Sequence, residues 1–166
     1  ASVAMVNAFG AAAAPMGFGE VYTAIQQGVI DGAENNELAL TNNKHGEVAK
    51  YYCYNKHQMV PDMLVANLKF LNSLSPEEYQ VFKDAALLST QVELEEWDKS
   101  IVEAKQIAKD KMGVEFIDVD VDAFKQKVLP LHEQMLKSNP KIQDLYEHIR
   151  KANENAKGGQ PNADAS

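Results

Sequence analysis

Four histidines are the residues in this sequence best suited to acid–base or metal chemistry: His45, His57, His132 and His148. Imidazole titrates near neutrality and binds zinc. However, no two of the four lie at i and i+4 on one predicted helix face, and none belongs to a zinc-protease motif. We interpret them as structural residues and predict neither a metal site nor a cofactor.

Two carboxylates in a polar loop, Asp31 and Glu34, are a second candidate for acid–base chemistry. Capping of the next helix or hydrogen bonding to loop amides is the favoured explanation for them. A hydrolase that pairs His45 or His57 with one of them remains an alternative function. No phosphate-binding loop, dinucleotide motif or nucleophile elbow supports it, and we predict no catalytic residue.

An aromatic ring and two amides form a candidate binding site. Phe18 begins a predicted helix, and Asn35 and Asn36 end a polar loop shortly after it. An aromatic face packs on a ligand, and amides both donate and accept hydrogen bonds. The residue types alone leave open whether Phe18 is a core residue and whether the two asparagines only form a turn.

The elements that must position these groups are predicted from apolar spacing. Apolar residues recur every three or four positions from Phe18 onward, which predicts an amphipathic helix ending at Gly28. The two apolar residues 29–30 are predicted to form the buried end of a strand. The loop 31–36 would then lie where an open α/β sheet presents its ligand-facing loops.

The strongest local signal lies in residues 75–78. Ser75 is a predicted N-cap, Pro76 suits the first helical position, and Glu78 completes a capping box. The next plausible stop is Gly113. We therefore predict a helix from Pro76 to Met112, on the order of 55 Å long at 1.5 Å per residue.

The rest of the chain gives weaker signals. The predicted elements are a mostly helical segment (37–52), a central strand (62–67), an edge strand (114–119), a helix capped by Asp120 and interrupted at Pro130, and a last helix opening at 139–140. The predicted divisions are a partial ligand-binding α/β lobe (1–74), the long helix (75–113), a strand with carboxyl-terminal helices (114–156) and a disordered tail (157–166).

Composition excludes several classes of partner. The net charge is −8, without a basic cluster, so nucleic acid is not expected as a partner. No apolar run approaches the roughly 20 residues of a membrane span. The single cysteine, Cys53, excludes an intrachain disulfide and is predicted to be a buried thiol. The apolar start at Ala1 without methionine suggests that the chain was cut from a longer protein.

The dense motif FGEVYTAIQQGVIDGAENN at residues 18–36 resembles the DctP family of TRAP-transporter solute-binding proteins. The resemblance continues through residues 44–52, 57–61 and 74–77 and weakens after Gly113. It implies an α/β, class II periplasmic-binding-protein-like lobe, with a very long helix that spans two lobes. On this reading, the chain is the carboxyl-terminal half of such a protein.

The resemblance also implies a function and site residues. The family captures small organic acids, such as dicarboxylates or sugar acids, in the periplasm for a membrane permease, without catalysis. Phe18 would pack on the ligand and Asn35 would hydrogen-bond its oxygens. Asn36, in a position where many members have proline, suggests sugar acids, and His57 is included as a ligand-binding residue.

Two expectations follow from what would be missing. The family's carboxylate-binding arginine would precede Ala1, so we expect this chain alone to have little affinity for an organic acid. The apolar surface that the missing lobe normally covers would be exposed to solvent. Self-association of the chain through this surface is therefore expected. A further alternative is a helical interaction module built on the long helix, in which case Phe18 and Asn35 would be dispensable.

Overall fold

The computed structural model describes residues 2–158. In chain order its elements are α1 (Ser2–Ala8), α2 (Val21–Gln26), α3 (Leu38–Asn42), α4 (His45–Val48), β1 (Tyr51–Tyr54), α5 (Leu68–Leu71), α6 (Pro76–Met112), β2 (Glu115–Asp118), α7 (Val121–Ser138) and α8 (Gln143–Gly158). Short 3₁₀ helices, Phe18–Glu20 and Pro140–Ile142, precede α2 and α8. The predicted tail lies outside the described residues from position 159 onward.

The chain forms two compact units. One is Ala14–Val121, and the other contains the described parts of Ala1–Ala13 and Asp122–Ser166. In the second unit the rings of Phe9 and Phe124 meet edge to face with centroids 5.1 Å apart. The predicted divisions at residues 74 and 113 stay a prediction.

The sheet of the first unit is a parallel pair of strands. Tyr51 of β1 is opposite Glu115 of β2, and the register continues to Tyr54 opposite Asp118. The predicted strand at 114–119 is thus confirmed, whereas the helical prediction for 37–52 missed the start of β1. Side chains alternate along β1, so Cys53 is exposed, and the prediction of a buried thiol is wrong.

A small core joins α3, α6 and β2. Leu40 is 5% exposed, Ala108 is fully buried and Val114 is 3% exposed, and the half-buried residues packed against them are Tyr52, Met112 and Phe116. Apolar burial of this kind stabilises the fold by roughly 25 cal/mol per Å². The core therefore holds the carboxyl-terminal end of α6 against α3 and the two strands.

The long helix is confirmed at both ends. The Glu78 backbone N–H donates to Ser75 Oγ at 3.2 Å, and the Ser75 N–H donates to Glu78 Oε2 at 2.8 Å. At the other end Gly113 has φ of +67°, and the Val114 N–H donates back to the Ala108 carbonyl at 3.0 Å. Local capping chemistry therefore specifies both boundaries of α6.

The prediction of a strand end at residues 29–30 is wrong. Val29 and Ile30 donate their N–H groups to the Ala24 carbonyl, at 2.9 and 3.3 Å, and Val29 is 69% exposed. Gly28 has φ of +69°, which lets the chain fold back on the end of α2. These two apolar residues therefore cap a helix instead of entering a sheet.

The predicted central strand at residues 62–67 is also wrong. No strand occurs there within residues 2–158, and Met63, Leu64 and Val65 are 78%, 71% and 80% exposed. A strand needs a neighbouring backbone to satisfy its amides, and this segment has none in the described part of the chain.

Pro130 does not interrupt α7, which runs continuously from Val121 to Ser138. A proline inside a helix removes one backbone hydrogen bond, and the remaining turns of this helix continue past it.

Among residues 2–158, no helix is both long and apolar enough to cross a membrane.

Candidate ligand-binding site

Phe18 lies at the start of the 3₁₀ helix before α2. The Gly17 N–H donates to Glu20 Oε2 at 3.1 Å, which closes this turn. The Phe18 ring is 49% exposed and meets the His45 ring edge to face, with centroids 5.6 Å apart. Phe18 is thus half open to solvent on a supported turn, as an aromatic platform requires.

His45, at the start of α4, packs its ring against the ring of Phe18. Its side chain is 6% exposed, and burial lowers the pKa of the imidazole below its ordinary value. A neutral ring therefore packs against the phenylalanine at pH 7. This contact agrees with the structural role predicted for the histidines.

The loop 31–36 directs its asparagines through local hydrogen bonds. The Asn36 N–H donates to Asn35 Oδ1 at 2.9 Å, and the Leu38 N–H donates to Asn36 Oδ1 at 3.1 Å. A backbone N–H only donates, so the side-chain oxygens must be the accepting atoms. The turn therefore uses the oxygens, and the NH₂ groups are not committed to these bonds.

Two side chains hold the loop from outside. Tyr52 Oη donates to the Asn35 carbonyl at 2.8 Å. His57 Nε2 lies 3.3 Å from Glu34 Oε2, while its Nδ1 lies 2.6 Å from Asn55 Oδ1. The loop is thus tied both to β1 and to the segment that follows it.

The hydroxyls of Tyr22 and Tyr52 stay protonated at neutral pH. Burial raises the pKa of Tyr52 well above its ordinary value, and nearby Glu37 and Tyr54 raise it further. A hydrogen bond to Glu47 at 2.9 Å raises the pKa of Tyr22. Tyr52 therefore remains a hydrogen-bond donor under all physiological conditions.

The structure brings Asn35 and Asn36 together with His45 and Tyr52 around a cavity of about 50 Å³. Pockets that enclose a ligand usually measure roughly 300–1,000 Å³. This cavity is therefore too small to enclose a sugar acid by itself. Phe18 adjoins the cavity through its contact with His45.

The sequence interpretation missed Tyr52. Burial alternates along residues 51–54, and interpreting this aromatic run as a strand would have placed Tyr52 and Tyr54 on one face. No group of three or more potential metal ligands occurs within residues 2–158. His57 Nε2 faces Glu34 and its Nδ1 faces Asn55, so both ring nitrogens of this histidine already have partners.

Comparison with known proteins identifies relatives along most of the chain. The YiiZ protein of Salmonella typhimurium is 38% identical over 151 residues, which cover 91% of this chain and 46% of YiiZ. A solved TRAP periplasmic solute-binding protein from Anaerococcus prevotii, with bound α/β-D-glucuronate, is 47% identical with a TM-score of 0.84. Another from Sulfitobacter sp. NAS-14.1, with bound β-D-galacturonate, is 37% identical with a TM-score of 0.80.

These matches cover 93% and 87% of this chain but only 50% and 48% of the two solved chains. The chain thus spans about half the length of its relatives. The likeness confirms the predicted α/β fold of the class II periplasmic-binding type. The sequence profile of the bacterial extracellular solute-binding proteins of family 7, DctP, matches residues 1–139. The chain therefore belongs to the DctP family of TRAP solute-binding proteins, which are transport components and not enzymes.

Proposed function

We propose that this chain supplies one wall of the binding site in a periplasmic protein that captures a hexuronate and delivers it to a TRAP membrane permease. The observation that carries the proposal is the loop 31–36, which presents two amides beside a half-exposed aromatic ring. The two solved relatives contain D-glucuronate and D-galacturonate, which are both six-carbon sugar acids.

The chemistry of a hexuronate suits these side chains. A pyranose has an apolar C–H face, which packs on an aromatic ring such as Phe18. The NH₂ groups of Asn35 and Asn36 donate to the carboxylate and hydroxyl oxygens of the ligand. His57 contributes by holding the loop, because its two ring nitrogens already face Glu34 and Asn55.

The wall provides little positive charge of its own. Arg150 is the single arginine of the sequence, and on α8 its Nε lies 3.6 Å from Glu154 Oε1. A carboxylate is held most strongly by bidentate, charge-assisted bonds. We infer that an arginine elsewhere in the complete protein supplies such bonds, and the chain alone should bind hexuronates with a dissociation constant weaker than about 1 mM.

The proposal is tested with the complete protein encoded by the gene that contains this chain. Titration calorimetry with D-glucuronate should give a saturable signal, and the ligand should raise the melting temperature because it binds the native state. D-Glucose, which has the same ring without the carboxylate, is the matched control. NMR should recover the glucuronate unchanged. The proposal would be refuted if glucose bound as tightly as glucuronate, or if neither D-glucuronate nor D-galacturonate bound. Chemical conversion of the glucuronate would also refute it.

We also propose that the isolated chain self-associates through exposed apolar side chains. Residues 59–65 include Met59, 91% exposed, and Leu64, 71% exposed, and the first half of α6 exposes further apolar side chains. Sedimentation of the 166-residue chain should show a dimer or larger species. Leu64→Glu should shift it toward monomer, while Gln126→Glu, which adds the same single negative charge outside residues 59–65, should not. A wild-type monomer at all concentrations would exclude this.

A further inference from the structure

Tyr52 makes the one bond from a neighbouring element to the backbone of Asn35 that is seen within residues 2–158. Its hydroxyl donates to the Asn35 carbonyl at 2.8 Å. The ring is half-buried and packs against the core of Leu40, Ala108 and Val114. A side chain of β1 thereby contacts an exposed loop that has no regular secondary structure.

Tyr54 provides a natural comparison. It lies two residues further on the same face of β1, and its ring centroid is 5.1 Å from that of Tyr52. Its hydroxyl makes no hydrogen bond to residues 31–36, and its burial and the nearby Glu37 carboxylate raise its pKa. Lys105 Nζ lies 5.0 Å from the Tyr54 ring. The two tyrosines therefore share a strand face and an aromatic cluster, but only Tyr52 reaches the loop.

We propose that Tyr52 is a positioning residue that acts on the ligand through Asn35, an inference that rests on the proposed function. The hydroxyl bond restrains the Asn35 peptide group, and the side-chain bond to the Asn36 N–H restrains the amide. A loop ordered before binding loses less conformational entropy when the ligand arrives. Tyr52 thus lowers the ordering cost of binding through the loop, because its hydroxyl is committed to the Asn35 carbonyl.

The first test compares Tyr52→Phe with Tyr54→Phe in the complete gene product. Each change removes one hydroxyl and keeps the ring. Tyr52→Phe should weaken D-glucuronate binding about 3- to 10-fold, the effect of losing one neutral hydrogen bond. Tyr54→Phe should leave the affinity within twofold, because its hydroxyl has no loop contact. Equal effects of the two changes would overturn the inference.

A double-mutant cycle separates positioning from general stability. If Tyr52 acts through the Asn35 side chain, Tyr52→Phe should have no further effect on affinity once Asn35 is alanine. A merely structural role would leave its effect unchanged in that background. Full additivity of the two substitutions would therefore contradict the proposal.

Hydrogen exchange tests the loop without any ligand. Backbone amides of residues 31–36 should exchange several-fold faster in Tyr52→Phe than in wild type, and Tyr54→Phe should match wild type. Unchanged exchange in Tyr52→Phe would overturn the positioning role even if the protein binds D-glucuronate. Conversely, if exchange is faster in Tyr52→Phe than in wild type but the wild-type protein binds no uronate, Tyr52 orders the loop and the proposed function is refuted.

Discussion

Replacing Asn35 with alanine should weaken D-glucuronate binding by the complete protein about 10- to 100-fold, the effect of losing hydrogen bonds to a charged ligand group. The side-chain oxygen of Asn35 accepts the Asn36 N–H at 2.9 Å, so its NH₂ group is the part that can face an anion. The dissociation constant measured by calorimetry would test this, at fixed pH and salt.

Asn43→Ala is the matched control for Asn35→Ala. Asn43 is exposed at the end of α3 and does not line the cavity. It should leave the affinity within twofold. Asn36→Ala should lower both affinity and stability, because Asn36 Oδ1 also accepts the Leu38 N–H at the start of α3. An Asn35→Ala protein that binds like wild type would remove this loop from the site.

Gly46→Ala should lower the free energy of unfolding by about 1–3 kcal/mol, the usual cost of overpacking. A β-carbon at this position would lie 2.6 Å from Met112 Sδ and 3.2 Å from both the Leu40 carbonyl oxygen and Val114 Cγ2. The methionine can move, but the backbone carbonyl cannot easily do so. Urea denaturation followed by circular dichroism measures the effect.

The penalty at Gly46 should be specific to its packing. Gly32, in the loop 31–36, has nothing within 4 Å of the position of an added β-carbon, so Gly32→Ala should be close to neutral. Lys50 reinforces the same junction, since its Nζ donates to the Gly46 carbonyl at 2.9 Å and to the Met112 carbonyl at 2.7 Å. Equal destabilisation at both glycines would show that the contact with α6 does not limit the residue at position 46.

Local signals predicted the long helix well. The Ser75–Glu78 capping box and the left-handed Gly113 both act over a few residues, and the structure shows the boundaries that they predict. Strand predictions succeeded or failed according to pairing. The strand predicted at residues 114–119 pairs with β1. The segments 29–30 and 62–67 pair with no strand in the described part of the chain.

The site was predicted only in part for the same reason. Asn35 and Asn36 are next to each other in sequence, so residue type alone marked them as candidate ligand groups. Tyr52 became relevant because its hydroxyl reaches the Asn35 carbonyl across 17 positions of sequence. His45 became relevant because it packs under Phe18 while lining the same cavity as the amides.

The sequence by itself determined the family, the long helix and the amide-bearing loop, because each depends on neighbouring residues whose types carry the information. Tertiary structure decided which apolar segments became strands, which side of β1 is buried, and which residues support the loop. Strand pairing, burial and loop support all depend on contacts between residues that are far apart in the chain. The type of a side chain specifies which groups it can bind, but not which residues the fold places next to it.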